Sequence, residues 1–133
     1  MTVLINIDVP DLDTGVAFYT SAFGLSDKRR LGGEAAELEG WPVPCFLLAR
    51  DEGSIGAEDS RRNYVRHWTP VHLDIVVEDI EVAVARAVRA GAELEQKPRI
   101  AAWGKLALLS DPFGNGFCLI EFLNRGYDEI ATG

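Results

Sequence analysis

Two stretches of the chain alternate apolar and polar residues and then change period. In LINIDVPDLDTGVA (4–17), Ile5, Ile7 and Val9 fall on one side of an extended chain. In HLDIVVEDIEVAVA (72–85), Leu73, Ile75 and Val77 do the same. A period of two predicts half-buried strands. The apolar positions then move to helical spacing, at Leu12, Val16, Tyr19 and Phe23 in one copy and Ile80, Val84 and Ala87 in the other. Asp11 and Asp79 stand where an N-cap carboxylate accepts backbone N–H bonds. Gly24 and Gly91 stand where a left-handed residue ends a helix.

The two stretches are one repeat. Laying 72–85 over 4–17 puts Ile75 on Ile7, Val77 on Val9, Asp79 on Asp11 and Val84 on Val16. Three strand-like runs follow each helix, at 26–32, 34–39 and 43–50 and again at 95–102, 105–110 and 116–122, with EGWP and DPFGN as turns. The pattern predicts an α+β fold of two tandem βαβββ modules, 3–50 and 71–123, joined by a polar linker, 51–70. A helix covers one face of each sheet. The other face carries Leu4, Asn6 and Asp8 in the first copy and His72, Asp74 and Val76 in the second. Polar residues on a face that should be half-buried mark a concave site or an interface.

Composition narrows the class. Apolar residues at 47% and charged residues at 26% suit a globular domain. No apolar run reaches the roughly 18 residues of a membrane-spanning helix, and the N-terminus lacks the basic and apolar regions of a secretory signal, so a cytoplasmic protein is expected. A net charge of −8 argues against nucleic-acid binding, and the basic run RRNYVRH (61–67) reads as a solvated linker. Cys45 and Cys118 form no CxxC pair and no secreted-type disulfide framework. Both read first as small apolar core residues, with a thiolate–imidazole site formed with His72 as the sharper alternative.

NIDVPDLDTGVAFYTSAFGL, HLDIVVEDIEVAVARAVRAGAEL and AAWGKLALLSDPFGNGFCLIEF together resemble the vicinal oxygen chelate superfamily of glyoxalases, bleomycin-resistance proteins, fosfomycin-resistance enzymes and extradiol dioxygenases. The resemblance runs from residue 3 to about 123. It implies paired modules whose curved sheets form a cleft, often completed across a homodimer. In the enzymes of this superfamily a divalent metal sits there, held by His and Glu from the first and last strands of the modules.

Carried over residue by residue, His72 keeps the first-strand ligand of the second module, while its counterpart Leu4 coordinates nothing. The last-strand Glu falls on Cys118, with its first-module counterpart on or near Cys45, and Glu121 lies on the opposite strand face. The resemblance also implies a pocket aromatic at Trp103, while Trp41 and Trp68 read as core packing or dimer contacts. The expected pocket is Leu4, Asn6, His72, Asp74, Trp103 and Cys118, with Phe46.

The leading expectation is a homodimeric protein that sequesters an aromatic or cationic small molecule without a metal or other cofactor, Trp103 stacking and His72 and Asp74 orienting polar groups. One alternative is a metal-dependent glyoxalase- or dioxygenase-type enzyme with His72 and Cys118 among its ligands. Another is a metal-free catalyst with His72 as general base. Whether the chain is an enzyme stays open at this point.

Overall fold

The computed structural model describes residues 1–133, which divide into two units, Met1–Val65 and Arg66–Gly133. In the first unit, β1 (Ile5–Val9), α1 (Leu12–Phe23), β2 (Ser26–Leu31), β3 (Ala35–Glu39) and β4 (Cys45–Ala49) follow in order. They build a four-stranded sheet in the order β1-β4-β3-β2, with β1 parallel to β4 and the other pairs antiparallel. A parallel neighbour for β1 requires a crossover, which α1 and the two strands after it supply. The unit ends in a hairpin of β5 (Ile55–Ala57) and β6 (Ser60–Arg61).

The helix ends are where the sequence puts them. Asp11 accepts the Thr14 N–H at 3.0 Å, a contact worth about 1 kcal/mol, and Gly24 closes α1 in the left-handed region at φ 69°. Gly15 lets the helix pack closely on the sheet. A Cβ there would sit 3.0 Å from Val9 Cγ2 and 3.3 Å from Leu47 Cδ1, so α1 lies directly on the face that carries Val9 and Leu47. Phe18, Tyr19 and Ala22 bury the rest of the apolar stripe, and Phe23 packs on Trp41 with ring centroids 5.5 Å apart.

The second unit repeats the plan with β7 (Leu73–Val76), α2 (Ile80–Ala90), β8 (Glu93–Ala101), β9 (Gly104–Ser110) and β10 (Gly116–Phe122), in the order β7-β10-β9-β8. Asp79 accepts the N–H groups of Glu81 and Val82, while Glu121 Oε2 takes that of Ile80 at 2.9 Å. The α2 start is therefore satisfied from its own cap and from β10. Glu121 thereby shows which face of β10 the helix covers, the face of Phe117 and Leu119. In the DPFGN turn, Asp111 Oδ1 accepts from Phe113 N at 2.8 Å and Asn115 N at 2.9 Å. Its Oδ2 takes the Asn115 amide at 2.9 Å, so the tight turn is held from within. A short 3-10 turn, Gly126–Glu129, follows β10.

The connecting segment 51–70 is solvated, as expected of a linker, but it is not structureless. It holds the β5–β6 hairpin, and its basic run is engaged: Arg62 Nε meets Asp8 Oδ2 at 2.7 Å, and Arg66 pairs with Glu95. Arginine suits this role because its planar fork satisfies carboxylates and carbonyls at fixed angles.

Candidate functional site

Asp74 on β7 is the register partner of Cys118 on β10, and paired residues of parallel strands point to the same face. That face is opposite to α2. His72 directly precedes β7, and its Nε2 lies 3.3 Å from Asp74 Oδ1. One donor atom from each of His72, Asp74 and Cys118 lies within 4.8 Å of the others. Three of the expected site residues are thus brought together.

The surroundings set their chemistry. Burial, then the Asp74 charge and a hydrogen bond to Asp74, push the Cys118 thiol up to about 11, so it is protonated at neutral pH. Asp74 can accept from His72 or from the thiol, and His72 can orient a polar group of a ligand. Trp68 joins them: its ring centroid is 5.2 Å from that of His72, and 62% of the residue is exposed. A flat apolar surface beside an imidazole and a carboxylate can stack a planar ring and bond its polar edge.

Trp103 is elsewhere. Its ring packs on Tyr127 at 5.0 Å and Phe122 at 6.3 Å, at the β8–β9 turn. Gly104 pairs with Phe122, four residues along β10 from Cys118, a separation of roughly 13 Å at the strand rise. Within this unit Trp68, not Trp103, is the aromatic beside His72. The sequence offered no signal for that, because residues 62–72 lie outside any strand or helix and carry no periodicity.

In the first unit a row of register partners crosses the sheet: Asn6 with Phe46, Phe46 with Glu37, Glu37 with Arg29. Leu4 precedes β1 and is 52% exposed. Phe46, not Cys45, is therefore the counterpart of Cys118. Cys45 pairs with Ile5 on the α1 face and is 1% exposed, so it belongs to the core. Aligning cysteine on cysteine slipped the register by one residue, which exchanges the faces of a strand. Sequence reasoning also missed Glu37, a buried carboxylate reached by both Lys28 and Arg29. A bulge between Asp27 and Arg29 turns these two consecutive cations toward one acceptor. Their hydrogen bonds, Arg29 first, hold Glu37 below its ordinary value.

The divalent metal implied by the superfamily can be tested against these donors. Leu4 and Phe46 offer no lone pair, so the first unit does not fit. The imidazole, carboxylate and thiol of His72, Asp74 and Cys118 do fit a borderline ion such as zinc, with a coordination position left over.

Comparisons with known proteins follow the same line. The model of the family described as Glyoxalase-like domain matches residues 4–120. The chain is 31% identical over 126 residues to the anthracycline biosynthesis protein DauV of Streptomyces sp. (strain C5), a match covering 92% of this chain and 42% of that protein. It thus spans less than half the length of that curated relative. Among solved structures it is similar to a glyoxalase/bleomycin resistance protein/dioxygenase family enzyme from Burkholderia phytofirmans PsJN, with a TM-score of 0.69 and 20% identity over 90% of this chain and 97% of that one. The fosfomycin resistance protein FosX of Listeria monocytogenes gives a TM-score of 0.69 and 18% identity over 92% and 93% of the two chains. At such identities these two likenesses speak for the fold.

Proposed function

The chain belongs to the glyoxalase-like domain family, and from that premise we propose that it binds a planar aromatic small molecule on the open face of its second unit and acts by sequestering it. The observation that carries this reading is Trp68, an exposed indole set against His72 with Asp74 alongside. Stacking supplies contact area at little cost in side-chain freedom, and the imidazole–carboxylate pair supplies orientation. The similarity to an anthracycline biosynthesis protein supports a fused-ring aromatic as the ligand class. A homodimer in the cytoplasm remains part of the proposal.

Titration with 1,4-dihydroxyanthraquinone, followed by quenching of tryptophan emission, tests it. Saturable micromolar quenching that is lost in Trp68→Ala supports the reading. No saturation, or equal affinity in Trp68→Ala, overturns it.

A second reading is favoured by one specific observation, the convergence of three unlike donors within 4.8 Å. In a metal-dependent enzyme of this family His72, Asp74 and Cys118 would hold a divalent ion, which when bound would polarise a substrate oxygen. Cobalt(II) titration separates the two readings. A thiolate charge-transfer band that vanishes in Cys118→Ser supports the metal, and its absence in the intact chain removes it.

A further inference from the structure

Arg66 opens the second unit, and three features fix its guanidinium. Nε and Nη2 donate to Glu95 Oε2 and Oε1 at 2.7 and 3.0 Å, a bidentate pair. Nη1 donates to the carbonyl of His67. The guanidinium also lies flat on Gly116: a Cβ there would stand 2.5 Å from Nη2, 2.7 Å from Cζ and 2.8 Å from Nη1. A side chain at 116 would push the guanidinium off this seat. Only 26% of the Arg66 side chain is exposed.

These contacts tie one loop to two strands. Glu95 sits at an irregularity of β8 between Leu94 and Gln96, and Gly116 begins β10. Phe117 pairs with Leu73, so continuing the parallel register sets Gly116 beside His72, two residues before Cys118. Between Arg66 and Leu73 the chain has no strand or helix of its own. Within it, Thr69 Oγ1 donates to the Val71 carbonyl at 3.0 Å. Trp68 and His72 hang on this stretch. It is held at one end by β7 and at the other by Arg66.

We propose that Arg66 is a positioning residue for the Trp68–His72–Asp74 surface. Glu95 and Gly116 hold the guanidinium, and the guanidinium sets where the loop places the indole. Arginine is needed for this, since a lysine ammonium offers neither the fork for Glu95 nor a plane to lie on Gly116. The consequence for affinity rests on the binding reading above; the consequence for geometry does not.

The experiment uses the full chain and the variants Gly116→Ala, Glu95→Gln and Arg66→Lys. Two quantities are read, the nuclear Overhauser contact between the Trp68 indole and the His72 ring, and the dissociation constant of 1,4-dihydroxyanthraquinone. A melting curve of each variant accompanies them. The expected result is loss of the contact and several-fold weaker binding in all three variants, at nearly unchanged melting temperature. Contact and affinity retained in Glu95→Gln and Arg66→Lys overturn the proposal, as does absence of the contact in the parent chain. Should Gly116→Ala fail to fold, the other two variants decide. If the parent chain does not bind the probe, the functional reading fails while the ring contact still decides the role of Arg66.

Discussion

The thiol of Cys118 and the carboxylate of Asp74 face each other across β7 and β10 as register partners, and the thiol donates to the carboxylate. Each constrains the other. Burial does most to keep the thiol protonated, and the neighbouring negative charge adds to it. At pH 7.5 both Cys118 and Cys45, the latter also raised to about 11 by burial, should react slowly with iodoacetamide. Asp74→Asn should speed Cys118 several-fold and leave Cys45 unchanged. Site-resolved mass spectrometry of the alkylated protein reads both rates in one sample.

Glu37 provides an acid-sensitive element in the first unit. Its folded value lies below the ordinary 4.5, so the stability it contributes is fully present above that value and is lost as pH falls through the folded one. Glu37→Gln should lower the melting temperature at pH 7. The parent and variant curves should approach each other on acidification below about pH 4. Parallel curves across that range would contradict the ion pairing.

Gly15 should tolerate little. A valine placed against Val9 and Leu47 overfills a packed interface and should cost roughly 2 kcal/mol. Alanine recovers helix propensity of about 1 kcal/mol while crowding the same neighbours, so Gly15→Ala should fall near neutral. Urea denaturation of the two variants separates these outcomes.

The two tryptophans of the second unit should differ in role. Trp103→Ala removes a ring from the cluster with Phe122 and Tyr127 and should cost on the order of 1 kcal/mol in stability, with anthraquinone binding intact. Trp68→Ala should show the reverse, unchanged melting and lost binding. Paired melting and fluorescence titrations test both.

Much of the fold was legible because its signals are local. Periodicity gave β1, α1, β7 and α2, and Asp11, Asp79, Gly24 and Gly91 marked their ends close to where the structure has them. The DPFGN turn and β10 were equally plain, since Asp111 satisfies its own turn. The site was only partly readable. His72 and Asp74 follow from strand parity, which the repeat supplies, and Cys118 from the resemblance. Pairing Cys45 with Cys118 failed because identity of side chains says nothing about register, and one residue of slip moves a strand's whole set to the other face. Trp68, Arg66 and the β5–β6 hairpin were hidden for another reason. Their positions depend on tertiary ion pairs with Asp8 and Glu95, and those pairs leave no pattern along the chain.

The bare Cα of Gly116 beneath the Arg66 guanidinium has a consequence for how this sequence can vary. Positions 66 and 116 are coupled through the seat they share. A side chain at 116 is admitted once the flexible end of Arg66 swings aside, and that movement breaks the pairing with Glu95. Drift at these places therefore alters loop placement before it alters folding. A library scored for stability would pass single changes at 66, 95 and 116, while one scored for the Trp68–His72 ring contact would reject them.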